Sequence, residues 1–396
     1  MKEKKLISFD CEKKFYYFFI FWISEFIIII SENYIPDEYL EIKMEFDDLD
    51  SYQEELENKK INQLIFVISK IISKLFAGLG AICNYELSIN KDENFVQIFL
   101  LIIISMLLFL CKFKNFLYYL LSNCLKKLND YNMDWKVGIY IASTIIFCKY
   151  VNREIVFYRH HKVSIIVTLI AFCLMTFVNV YSIIKEDKDI EFVNKIIYII
   201  INASTSVFFP FVNSIYKILM NHSSFTPIKL IFWIGIIETI LLAIILPILY
   251  LTKLFKLGYI NFKNDKFIIW IFIKISYIIL FYVRSLMVLK IINYFNPAYM
   301  FFMISINSFI SFVARLFMNT ENSIYKKTSW CICLDCFSLI IIILGTLIFN
   351  EILIIHKCGL DKKIKKQLLI EERNEDNRIY SVNNEDDEEG EEAAFK

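Results

Sequence analysis

The sequence predicts an all-α fold, a polytopic membrane bundle of ten or eleven transmembrane helices, and three observations carry that prediction. Hydrophobic residues make up 57% of the 396-residue chain, against roughly 45 to 50% in a soluble domain even with glycine counted. They gather in blocks of about 20 residues, the length a helix needs to cross a bilayer. No segment alternates apolar and polar residues in the manner of a barrel strand, and backbone amides in hydrocarbon must be paired inside a helix or a closed barrel. Disorder, collagen and a small disulfide scaffold are excluded by the same figures, since the chain has only 8 Gly and 5 Pro and dilutes its 10 Cys in a long sequence.

The elements follow in order. Lys2, Lys4, Lys5, Lys13 and Lys14 precede an apolar run over 15–30. No small-residue cleavage site follows, so the run reads as a retained membrane segment or signal anchor, short and interrupted by Glu25. The acidic stretch 32–57 is expected to be a solvated loop. A span over 61–85 carries Lys70 and Lys74 one turn apart, so that face should meet protein or water rather than lipid. A clean span at 95–111 is followed by a weaker one at 113–128. Further spans are predicted at 135–150, 163–184, 192–220, 228–252, 267–289, 298–317 and 329–355, separated by short polar connections.

After the last span Lys357, Lys362, Lys363, Lys365 and Lys366 form a basic cluster, and residues 371–392 are strongly acidic. The cluster argues for a cytosolic C-terminus and the acidic stretch for a disordered tail, although Lys253, Lys256, Lys263 and Lys266 then fall on the opposite side. This divides the chain into an N-terminal segment and loop (1–60), a first membrane half (61–184), a second half (192–356) and the tail (357–396). With 43 Lys+Arg against 42 Asp+Glu the formal charge is +1, and no field for nucleic acid arises. The expected partners are the lipid bilayer and a small solute; oligomeric state is open.

Three stretches carry a resemblance. The first runs from Val137-Gly138-Ile139-Tyr140 through Phe147 and the basic connection 153–162 to Tyr181. The second runs from Pro227-Ile228-Lys229 through Glu238 to Leu246-Pro247-Ile248-Leu249-Tyr250, and the third is Ile343-Leu344-Gly345-Thr346-Leu347-Ile348-Phe349-Asn350-Glu351. They resemble the fourth and fifth, the seventh and the last helices of the drug/metabolite transporter superfamily, in its branch of chloroquine-resistance-like transporters and relatives of nucleotide-sugar carriers. The likeness spans about residues 113–360. It implies two inverted five-helix repeats around a central cavity, and alternating access to a small organic solute by exchange or proton coupling.

Glu238 is the foremost candidate for the site, because a carboxylate about ten residues into an apolar run costs on the order of 3 kcal/mol unless neutral, paired or hydrated. It is expected either to take up a proton or bind a cationic solute, or to be a structural group bonded to a neighbouring helix. Asn202, Ser206, Asn213 and Lys217 share one helical stripe, which either lines a wet cavity or makes interhelical hydrogen bonds. Pro210 on the same span frees a carbonyl. Lys274 lies deep enough to need a partner, and opposite charge at similar depth suggests Glu238. Ser308 and Arg315 share a face of the following helix, with Arg284 and Arg315 snorkelling or pairing near an interface.

The run Cys331-Ile332-Cys333-Leu334-Asp335-Cys336 lacks the second Cys pair or His cluster that zinc needs. His160-His161 is read as part of a solvated connection. No metalloprotease, serine-hydrolase, phosphate-loop or nucleotide fingerprint is present, so no cofactor, metal or enzymatic chemistry is expected. The sequence-level conclusion is a secondary transporter of a plasma or internal membrane. A transport-silent scaffold or receptor is the alternative, and a membrane enzyme using His160 or the cysteine run ranks last.

Overall fold

In the computed structural model the described residues are 7–9, 16–34, 44–45, 51–83, 95–121, 136–151, 158–186, 192–222, 225–252, 259–260, 264–295, 297–300, 303, 307, 310, 329–349 and 353–355. They form nine α-helices: α1 (Tyr16–Tyr34), α2 (Ser51–Leu75, extended by a 3-10 segment Phe76–Cys83), α3 (Phe95–Leu121), α4 (Lys136–Tyr150), α5 (Arg159–Glu186), α6 (Phe192–His222), α7 (Pro227–Leu251), α8 (Asn264–Tyr294) and α9 (Ser329–Phe349). Seven helices among the described residues are long and apolar enough to cross a membrane, and Tyr16–Ile28 and Ile139–Tyr150 are shorter apolar helices. The chain is a helical, multi-pass membrane protein. Of the span expected at 298–317 the described residues Met300, Met303, Asn307 and Ile310 are helical. Ser308, Arg315 and the acidic tail lie outside the described residues.

Several boundaries differ from the sequence expectation, two of them for an electrostatic reason. The segments 95–111 and 113–128 are not separate spans; α3 runs unbroken from Phe95 to Leu121. Lys112 and Lys114, which suggest an interruption, bond to Glu238 and Asn202 within the bundle. Helix α2 begins at Ser51 rather than 61, because Lys59 pairs with Glu55 and Lys60 with Glu57 within the helix, neutralising the end of the stretch expected to be a loop. Helix α5 starts at Arg159, so His160 and His161 stand in its first turn rather than in a loop. Helix α9 ends at Phe349 rather than 355.

Helix α7 shows how the local signals combine. Thr226 caps it, its hydroxyl accepting the Lys229 amide at 3.3 Å, with Pro227 in the first turn where no amide is missed. Ile231, Ile234, Glu238 and Leu242 recur at helical spacing on its buried face. Ile240, Ile244, Ile248 and Leu251 form an exposed apolar stripe elsewhere on it. Helix α5 repeats the arrangement, with Ser164 and Thr168 buried while Ile166, Ile170 and Phe177 are exposed. Glu238, Ser164 and Thr168 lie inside among apolar residues while the exposed stripes are apolar too, an arrangement that suits hydrocarbon as the surrounding solvent.

The largest core cluster joins Phe18 and Phe21 of α1, Leu101 and Ile104 of α3, Tyr216 of α6 and Ile231 and Ile234 of α7, among others. Helix α7 packs on α2, α3 and α8, helix α8 also packs on α1, α2 and α6, and α9 lies along α5. Two short antiparallel pairs tie the chain outside the helices. Strand β1 (Ile7–Phe9) pairs with β4 (Leu353–Ile355), Ser8 opposite Ile354, and β2 (Met44–Glu45) pairs with β3 (Tyr259–Ile260).

Candidate functional site: a buried carboxylate between two lysines

Glu238 lies midway along α7 with no exposed side-chain surface. Its Oε1 accepts from Lys74 Nζ of α2 at 2.8 Å, and its Oε2 from Lys112 Nζ of α3 at 2.6 Å. Both lysine side chains are almost fully buried, at 9% and 12% exposure. Each carboxylate oxygen therefore faces its own lysine Nζ, and the set counts formally as two positive charges against one negative. The expected Lys274–Glu238 pair is corrected: Lys274 instead stands over the rings of Trp270 and Tyr277, at 5.7 and 5.8 Å, while α2 and α3 deliver the counter-charges to α7. Each Glu238 oxygen accepts one lysine hydrogen bond in this conformation.

The approach of α2 to α7 depends on Gly235, one turn before Glu238. A Cβ at this position would stand 2.9 Å from Lys74 Cβ and 3.2 Å from the Leu75 amide nitrogen. The missing side chain lets the Lys74 stem lie against α7 and reach Glu238 from above its own turn. Gly235→Leu is expected to lower bundle stability by about 1–3 kcal/mol through overpacking. Gly235→Ala still forces Lys74 Cβ away but adds a single methyl, and should cost less than leucine. Thermal unfolding of the purified variants in detergent checks the order.

The polar stripe on α6 is bonded rather than open in this conformation. Lys114 donates to Asn202 Oδ1 at 2.9 Å, joining α3 to α6, and Ser206 donates to the Asn202 carbonyl of its own helix. Asn213 Nδ2 donates to the Tyr140 hydroxyl of α4 at 2.6 Å. Lys217 donates to the Asn293 carbonyl near the end of α8 at 2.7 Å, where carbonyls lack helical partners. Pro210 sits inside α6 and is buried. Asn202, Asn213 and Lys217 thus make interhelical hydrogen bonds, and Ser206 bonds within its own helix.

A second ion pair joins α1 to α8. Arg284 Nε meets Glu25 Oε1, and Asn307 Nδ2 lies 3.4 Å from Glu25 Oε2. Glu25 interrupts its apolar run, and Lys112 falls between the spans expected at 95–111 and 113–128; such breaks are a signal, because a charge tolerated inside an apolar run has a partner elsewhere in the bundle. His160 is buried, and His161 Nδ1 accepts the Tyr158 amide at 3.0 Å. Cys333 is exposed and Cys336 half-buried on α9. Among the described residues no group of three His, Cys, Asp or Glu stands together as a metal site.

No protein-family model matches the chain, and no curated protein matches it. The likeness to drug/metabolite transporters therefore rests on the three quoted stretches of sequence alone.

Proposed function

We propose that this protein is a secondary transporter of a small organic solute, built from two inverted five-helix halves and working by alternating access. The observation that carries the reading is the pairing of helices across the chain. Let α1, α2, α3 and α5 correspond to α6, α7, α8 and α9, with α4 matched to residues 298–317. Under that exchange the α1–α8 contact becomes α6–α3, the α2–α8 contact becomes α7–α3, and α2–α3 becomes α7–α8, while α2–α7 and α5–α9 map onto themselves. All of these contacts occur. The α6–α8 contact has no α1–α3 counterpart of similar extent, so the exchange holds for this set of pairs and not for every one; duplicated halves produce such a set, and such carriers bind solute between their halves. Glu238 belongs to the second half and its two lysines to the first, so the charged set lies across that boundary.

Strand pairing supports a count of ten crossings. β1 precedes α1 and β4 follows α9, and since they pair they share one face of the membrane, which requires an even number of crossings between them. With the two shorter apolar helices crossing alongside the seven long ones, an even count calls for one further crossing, which the apolar segment 298–317 would supply. β2 comes after one crossing and β3 after seven, and both odd positions again share a face. The lysines at both chain ends then lie on the same side, which favours the cytosol by the positive-inside rule. Tags at the two termini are expected to be reached by a membrane-impermeant reagent together, only after permeabilisation of the cell. Opposite accessibility would remove the ten-helix count.

The interhelical bonding of the α6 stripe favours the second reading, a transport-silent scaffold. Reconstitution of the full chain in liposomes with a panel of amino acids, peptides, nucleotide sugars and organic ions separates the two. Saturable uptake of any member supports the carrier, and uptake no greater than in protein-free liposomes across the panel supports the scaffold.

A further inference from the structure

The Glu238 set has a charge imbalance that bears on which solute a carrier of this design would take. Lys74 and Lys112 converge on one carboxylate from two helices of the first half. Two ammoniums and one carboxylate leave a formal excess of one positive charge in a water-poor interior, where uncompensated charge is costly. The residue supplying the negative charge comes from the opposite half. Any rocking of the halves that draws α7 away from α2 and α3 also withdraws Glu238 and strands two ammoniums together. Their like-charge repulsion is then no longer relieved by Glu238.

We propose that the solute is a small organic anion whose carboxylate or phosphate binds between Lys74 and Lys112, in the position that the Glu238 carboxylate holds in this conformation. Glu238 is a stand-in for the solute: its two oxygens, each 2.6–2.8 Å from an ammonium, trace the two-point recognition that an incoming carboxylate or phosphate reproduces. The anion also offsets the excess charge that Glu238 alone leaves. A cationic solute meets two ammoniums and a carboxylate with no oxygen to offer, and a neutral solute leaves the imbalance untouched. This inference rests on the carrier reading above and adds the sign of the solute's charge.

The test uses the full chain in proteoliposomes with matched labelled probes: succinate, glucose 6-phosphate and glutathione as anions, tetraethylammonium and spermidine as cations, and glucose as a neutral solute. Saturable uptake of at least one anion, without comparable cation uptake, is the expected result. Lys112→Met should raise the half-saturation concentration for that anion about tenfold or more, whereas Lys112→Arg should largely retain the wild-type value. Should Lys112→Met fail to fold, the charge selectivity of the wild-type protein decides alone. Saturable transport confined to cations or to glucose overturns the anion assignment and leaves the carrier standing. No transport of any probe overturns both.

Discussion

Glu238→Gln is expected to be the most damaging single substitution in the bundle. The amide is nearly isosteric and still accepts one of the two lysine hydrogen bonds, but it carries no charge, and two buried ammoniums then face each other without compensation. Removing one partner of a buried ion pair costs about 3–5 kcal/mol, and here one residue serves two pairs. The expected readout is a large loss of monodisperse protein on detergent extraction and a lower midpoint of thermal unfolding. Replacing all three charges, as Lys74→Met, Lys112→Met and Glu238→Met together, should restore much of that stability, because well-packed apolar groups often substitute for a buried ionic set at little cost. The triple variant should still move no solute. Wild-type stability in Glu238→Gln would mean that the carboxylate does not hold the lysines, and retained uptake in the triple variant would remove the set from the site.

The same residues indicate how far the sequence could be read. Helix existence was legible for α4 to α8, where apolar length and polar punctuation agree, because the bilayer imposes one requirement on every span. Boundaries failed where charge was taken as a stop. Lys112 and Lys114 divide an apolar run in two on hydropathy, but their stems and ammoniums are accommodated by groups 126 and 88 residues away in the chain. Hydropathy carries no information about a partner at that separation. Glu238 was legible as a site residue by its cost alone. Its partners were not, because Lys74, Lys112 and Lys274 are equal in charge and similar in depth, and only the packing of α2 and α3 against α7 distinguishes them. Gly235 also conveyed nothing in sequence, and its role follows from which helix lies across it.

The crossing of α5 and α9 gives the second large effect, one that separates stability from transport. On α5, Ser164, Thr168, Ala171 and Met175 recur at helical spacing and are buried; on α9, Leu339, Ile342 and Thr346 are buried. The Ser164 hydroxyl donates to the Gly345 carbonyl, and a Cβ at Gly345 would run into Thr168 Oγ1. Small residues at such a crossing let two backbones approach closely, and in lipid that packing is a main source of helix association. Gly345→Leu should therefore force α5 and α9 apart and cost about 3 kcal/mol, seen as a lowered unfolding midpoint. Gly345→Ala should be milder, and Thr168→Ala added to it should recover part of the loss by vacating the space the new Cβ needs, a coupling that a double-mutant cycle reads directly. This crossing contains none of the Glu238 charges. Gly345→Ala is therefore expected to lower stability while leaving the solute's half-saturation concentration unchanged, whereas Gly235→Ala, which touches the Lys74 stem, should change both. Equal effects of the two alanines on that concentration would mean that the charged set is not where the solute is recognised.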